Sequence, residues 1–163
     1  MIRSKLLKFY KHKLLTACLI ISLFAFGFSL YAEYILGKSA CTLCLVQRWP
    51  YAIAVLVALI GIFSRYTTLA VYVLLGIFLF ELGVSIYHLL VQYGIVSDPC
   101  SVPKITNQEE FWNVLKAPLP CSKITWKFFG IPAAGYNALI SLNLSLVIAG
   151  SLFKTGKFRG PVF

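Results

Sequence analysis

Charge is scarce in this chain. Of its 163 residues only 12% are Asp, Glu, Lys or Arg, and five are acidic. Histidine occurs twice and methionine once. What fills the space is apolar: 60% of the residues are hydrophobic and the mean hydropathy is +0.84. A soluble fold of this size cannot hide so much apolar surface, so a water-exposed globular domain is excluded and lipid must be the solvent for much of the chain. The shortage of acid leaves a net charge of +10. In a soluble protein that would suggest nucleic acid as a partner. Here the positive residues gather at the ends of apolar runs, as topology signals do, and no nucleic-acid partner is expected. Internal repeats, low-complexity segments and any hydroxyl-nucleophile-and-base arrangement are also missing.

Four apolar stretches are long enough to cross a hydrocarbon core of about 30 Å. They lie near residues 14–31, 45–63, 69–91 and 132–153. The expected fold is therefore an all-α membrane protein, a four-transmembrane-helix bundle forming one domain over residues 1–163. The first stretch follows a basic start, but its core is long for a signal peptide and Leu30-Tyr31-Ala32 makes a poor cleavage site, so it reads as a retained span. Outer loops are expected near residues 32–44 and 92–131. The second loop is punctuated by Pro99, Pro103, Pro118 and Pro120. Within it, residues 107–116 place Phe111, Val114 and Leu115 on one helical face behind Glu109 and Glu110. They read as a short helix lying on the membrane surface, or else as a loop with hydrophobic anchors.

Lysine and arginine placement orients the bundle. Arg3, Lys5, Lys8, Lys11, Lys13, Arg65, Lys154, Lys157 and Arg159 lie at one end, with no acidic residue beside them. The other end has Lys38, Lys104, Lys116, Lys123 and Lys127, offset by Glu33, Asp98, Glu109 and Glu110. Both termini are thus expected in the cytoplasm. Cys41, Cys44, Cys100 and Cys121 then face the outer, oxidising side. Cys18 is alone within the first span and reads as an inert core thiol.

Cys41-Thr42-Leu43-Cys44 is the sharpest local signal. Cysteines three apart at a helix start can close a disulfide, and the helix dipole favours a thiolate there. Arg48 follows Cys44 by one turn on the same face, and a cation at a membrane boundary is costly unless it has a task. The competing readings are a structural disulfide beside a snorkelling arginine, or half of a zinc site; no nearby second CxxC supports metal, and no metal is expected. Cys100 and Cys121 could be a loop staple. Asp98-Pro99-Cys100-Ser101-Val102-Pro103 instead offers an extended segment that a partner's groove can grip, and a second dithiol gives the CxxC an exchange partner. His88 lies near the depth of Arg48, where quinone head groups sit, and reads either as a quinone ligand or as a buried histidine bonded to a neighbouring helix. Glu81 shares a stripe with Ser85 and His88 and reads as a protonated carboxyl gluing helices together. Pro50 frees the Val46 carbonyl and predicts a packing kink.

On these residues the chain resembles the DsbB family of disulfide bond formation proteins. The likeness rests on Cys41-Thr42-Leu43-Cys44 followed by Gln47-Arg48, on Tyr87-His88, on Cys100, and on Cys121 followed by Trp126, Phe128 and Gly130. Vitamin K epoxide reductase relatives share the bundle but place their quinone-facing CxxC late. The resemblance implies a quinone-dependent protein-thiol oxidoreductase of the bacterial inner membrane, with cysteine pairs on the periplasmic side. It implies as partner a periplasmic DsbA-like thioredoxin-fold oxidase, whose thiol attacks Cys100 of a Cys100–Cys121 pair. Electrons would pass through Cys41 to Cys44, and on to ubiquinone or menaquinone of the membrane pool. Arg48, with His88 in support, would bind the quinone beside Cys44. The reading from a different class is a non-enzymatic tetraspan with two permanent staples.

Overall fold

The computed structural model describes residues 2–100, 119–124 and 126–157, and the side chains of residues 9–100, 119–124 and 126–153. Its helices are α1 (Ile2–Tyr34), α2 (Thr42–Val46), α3 (Arg48–Phe63), α4 (Thr67–Gln92) and α5 (Ala133–Lys157). Four helical stretches are long and apolar enough to cross a membrane: Phe9–Tyr34, Thr42–Phe63, Thr67–Gln92 and Ala133–Phe153. The chain is a multi-pass membrane protein. In the bundle α1 packs on α3, α3 on α4 and α4 on α5, with lighter contacts of α1 on α4 and α5. Large apolar side chains such as Phe24, Leu56, Phe63, Phe80 and Leu146 point outward, as a lipid-facing surface requires.

The spans run longer than hydropathy alone indicates. Residues 32–34 and 42–44, assigned above to the first outer loop, are helical. Helix α1 reaches Tyr34 because the amides of Ile35 and Leu36 still close on the Tyr31 carbonyl, at 2.9 and 3.2 Å. At the other boundary Pro132 is outside α5. It pairs with Lys127 in a two-stranded antiparallel hairpin of β1 (Lys127–Phe128) and β2 (Ile131–Pro132), turned by Phe129 and Gly130, both at positive φ. The helical break at Gln47 follows from Pro50, which has no amide to offer the Val46 carbonyl. Residues 107–116 lie outside the described residues.

The core sits toward the end of the bundle away from the cysteine pairs. Leu15, Cys18, Ala54, Ala58, Val71, Leu74, Phe78 and Ile148 are buried together there. Ala54, Ala58 and Gly61 give α3 a stripe of small residues, which lets neighbouring backbones approach closely. A Cβ on Gly61 would stand 2.5 Å from the Cβ of Ala70 and 3.0 Å from Cδ1 of Leu15. Toward the other end the buried face of α4 becomes polar. Glu81, Ser85 and His88 form one inward stripe along α4, all fully buried.

Candidate functional site

Helix α2 opens at Cys41, whose extended backbone (φ −78°, ψ 169°) makes it the N-cap. Its sulfur accepts the Cys44 amide at 3.3 Å and lies 2.9 Å from the Cys44 sulfur. Both cysteines are free thiols; Cys41 is buried and Cys44 half-buried. His88 reaches across from α4 and puts Nε2 3.6 Å from the Cys41 sulfur. The hydrogen bond with Cys44 draws the Cys41 thiol well below the ordinary thiol range. Burial opposes this, and His88 and the Cys44 amide reinforce it.

The second pair is closed. Cys100 and Cys121 form a disulfide with a Cα–Cα distance of 5.5 Å, within the ordinary span of such bridges. One carboxylate holds both of its flanks: Asp98 accepts the Cys100 amide at 2.9 Å and the Ser122 amide at 2.8 Å. Partial burial would raise the Asp98 carboxyl, but the hydrogen bonds from Ser122, Cys100 and Cys121 outweigh it and hold it below the usual value. The bridge is not a remote staple. Cys41, Cys121 and Val91 are buried in one cluster, with Cys44, Cys100, Leu43 and Val96 packed around them. Cys121 is fully buried on the inner side of the bridge, whereas Cys100 is partly exposed. A thiol pair and a disulfide therefore share one buried cluster, and thiol–disulfide exchange needs that closeness between the two pairs.

Arg48 goes elsewhere than its spacing indicates. Its guanidinium turns to α1, where Nη1 pairs with the Glu33 carboxylate and Nη2 donates to the Ser29 carbonyl at 3.4 Å. Nε is buried without a hydrogen-bond partner. No hydrogen bond joins Arg48 to Cys44 among the described contacts. His88 is fully buried and meets neighbouring helices. Besides Cys41 it faces Gln47 Oε1 through Nδ1 at 3.5 Å, and Nε2 receives Gln92 Nε2 at 3.2 Å.

Sequence reasoning missed three members of this site. Gln47, only 3% exposed, donates to Ser85 at 3.0 Å and accepts from Asn137 at 3.2 Å, tying α3, α4 and α5 together. An apolar helix rarely carries a buried amide without a reason, and that was its available signal. Asp98 could have been found from its place two residues before Cys100, the spacing of an Asx turn. Glu33 counted above only as a loop charge. Cys41, Cys44 and His88 bring three ligand-type atoms within 4.8 Å, as do Asp98, Cys100 and Cys121. In the second set both sulfurs are spent on the disulfide.

Aromatic packing ties the hairpin to α1 and α5. Trp126 stacks on Phe128 with centroids 6.0 Å apart and meets Phe28 of α1 at 5.8 Å. The Tyr136 hydroxyl of α5 donates to the Phe128 carbonyl at 2.9 Å.

Comparison with known proteins gives the same frame. The family model described as "Disulfide bond formation protein DsbB" matches residues 11–150. An uncharacterized protein of Rickettsia prowazekii (strain Madrid E) is 29% identical over 153 residues, covering 88% of this chain and 89% of that protein. No solved structure matches.

Proposed function

The chain belongs to the disulfide bond formation protein DsbB family, whose chemistry is disulfide-exchange oxidoreduction, and from that premise we propose that it reoxidises a periplasmic DsbA-like thioredoxin-fold oxidase and delivers the electrons to a quinone of the bacterial inner membrane. The observation that supports this most is the shared pocket of Cys41, Cys44, Cys100 and Cys121, with Cys121 on the inside and Cys100 toward solvent.

Each step conserves sulfur bonds. A partner thiolate attacks the Cys100 sulfur and Cys121 leaves as thiolate. The partner's second thiol then resolves the mixed disulfide, so the partner is oxidised and Cys100 and Cys121 are reduced. The Cys121 thiolate next attacks Cys41 of a Cys41–Cys44 disulfide, releasing Cys44. Cys100 attacks Cys121, restores the loop bridge and releases Cys41. The loop disulfide beside two free thiols, as in this structure, is the arrangement left at that point. Regenerating the Cys41–Cys44 bond requires removal of two electrons and two protons, which a bound quinone supplies by accepting both.

The residues near Cys44 suit a quinone, ubiquinone or menaquinone. Arg48 has a buried Nε that lacks an acceptor, and a ring carbonyl would supply one. Its pairing with Glu33 and Ser29 holds the guanidinium at the α1–α3 seam. In this reading Cys44 and Arg48 face the quinone, His88 serves from the Cys41 side, the termini are cytoplasmic and the cysteines periplasmic.

The test is a coupled assay. Purified protein is mixed with a reduced thioredoxin-fold oxidase, with and without quinone, and thiols are trapped while quinone absorbance is followed. Quinone consumption matching partner oxidation supports the reading. Partner oxidation that proceeds equally without quinone, or quinone loss unconnected to the dithiol, defeats it.

A further inference from the structure

The buried polar residues of α4 do not stop at His88. From Glu81 to Cys41 they form an unbroken chain across two helices, and each link has a direction. The Ser85 hydroxyl donates to Glu81 Oε1 at 3.1 Å. Gln47 Nε2 donates to the Ser85 oxygen at 3.0 Å. That spends the amide nitrogen of Gln47 and turns its oxygen toward His88 Nδ1, 3.5 Å away. Asn137 Nδ2 donates to the same oxygen at 3.2 Å and braces it from α5. Since Gln47 Oε1 can only accept, Nδ1 must carry the hydrogen. His88 Nε2 then carries no hydrogen; it accepts from Gln92 Nε2 at 3.2 Å and lies 3.6 Å from the Cys41 sulfur. Glu81, Ser85 and His88 are fully buried and Gln47 nearly so, so water does not scramble the order.

We propose that this ladder, from Glu81 through Ser85 and Gln47, holds His88 in the Nδ1–H tautomer and so makes His88 Nε2 the base that takes the proton of Cys41. The proposal deepens the function above, since it rests on Cys41 being an exchanging thiol. In the reduced pair the Cys41 S–H bond breaks and its proton moves to His88 Nε2, leaving the thiolate whose attack on the Cys44 sulfur closes the Cys41–Cys44 bond. His88 then gives that proton up as one of the two removed with the electron pair, which the quinone proposed above would accept, and is neutral again when Cys41 next leaves Cys121 as a thiolate. Glu81 offers an acceptor oxygen to Ser85 whether or not its other oxygen, which has no partner, carries a proton. Polarity of the ladder therefore survives either state. The histidine touches the reacting sulfur and is catalytic; Gln47, Ser85 and Glu81 position it. A charge or hydrogen bond is costly to orient by solvent at this depth, which is why a fixed chain serves better than water.

The ionisable groups facing this chain are few among the described residues. Cys41 faces His88, with Cys44 beside it, and Tyr51 of α3 is near Glu81. Arg48 and Glu33 are engaged with each other.

The experiment needs neither partner nor quinone, so its failure is separable from failure of the functional reading. His12 and His88 are the chain's two histidines. Full-length H12N protein labelled with 15N-histidine in lipid nanodiscs therefore reports His88 alone, and the bare and protonated ring nitrogens of neutral imidazole resonate far apart. With the Cys41–Cys44 bond closed, so that no thiol proton is in play, we expect a single neutral form with Nδ1 protonated. An Nε2–H form, with Gln92 turning its oxygen to that nitrogen, would overturn the proposal. Ser85→Thr should keep the wild-type spectrum and Ser85→Val, equal in shape, should mix the tautomers. In a Cys18→Ala, Cys44→Ser background with the loop disulfide intact, Cys41 alkylation should slow roughly tenfold in Ser85→Val and roughly a hundredfold in His88→Phe, the scale of a lost general base. Alkylation unchanged in Ser85→Val, with an unmixed tautomer, would remove Ser85 and Glu81 from the ladder and refute it.

Discussion

Asp98 is the cheapest place to alter the redox balance between the two cysteine pairs. Its carboxylate accepts the amides on either side of the disulfide, from Cys100 at 2.9 Å and Ser122 at 2.8 Å. Hydrogen bonds to an ionised group contribute about 1.5–3 kcal/mol each where buried. Asp98 is only half-buried, so about 1 kcal/mol apiece is the fair figure after solvent screening. Reduction opens the bridge and frees the two segments, so both bonds favour the oxidised form. Losing about 2 kcal/mol corresponds to about 40 mV for a two-electron couple. Asp98→Ala should therefore make the Cys100–Cys121 pair about 40 mV more oxidising, and Asp98→Asn, which keeps one acceptor oxygen, about half of that. The sign with pH follows from the depressed carboxyl. The contribution is complete above the ordinary Asp value of about 3.9 and fades only as pH falls through the lower folded value. The assay equilibrates a Cys41→Ser, Cys44→Ser protein against graded dithiol buffers and counts trapped thiols. A potential within error of the parent for Asp98→Ala, at neutral pH, would refute the clamp.

Arg48→Ala should raise the apparent quinone KM by about ten- to a hundredfold, the value of one charge-assisted hydrogen bond, while both disulfides still form under thiol trapping. Cys100→Ser should abolish oxidation of the thioredoxin-fold partner yet leave Cys41–Cys44 reducible by small thiols; equal loss with both reductants would contradict the division of roles. Gly61→Val should lower bundle stability by about 1–3 kcal/mol through overpacking against Ala70 and Leu15, read as a depressed melting temperature in detergent. Gly76→Ala, which meets nothing within 4 Å, should melt like the parent.

The fold was legible because lipid imposes a simple rule: a spanning segment must be helical and apolar, and four such segments stand out by composition. Their ends were less so, since residues 32–34 and 42–44 are helical for reasons of hydrogen bonding and capping that hydropathy does not register. The hairpin at Lys127–Pro132 was hidden because Phe129 is not a residue expected at positive φ. Within the site, the spacing of Cys41 and Cys44 at a helix start and the Glu81–Ser85–His88 stripe could both be read along one helix. What could not be read was anything between helices. The approach of Cys121 to Cys41, the turn of Arg48 to Glu33 and the bridging by Gln47 all depend on how α1, α3, α4 and α5 pack. Arg48 shows the limit clearly. Its spacing from Cys44 marked it as chemically important, but a side chain that long takes the strongest partner in reach, and that partner is on another helix.

The account stands on Cys41 and Cys121 being the internal exchange pair, and one measurement reaches that directly. A Cys44→Ser, Cys100→Ser protein keeps only the two inner thiols of the pocket. Under mild oxidation it should form an intramolecular Cys41–Cys121 bond, identified by mass spectrometry of the cleaved chain. Persisting free thiols, or cross-links only between molecules, would contradict the relay.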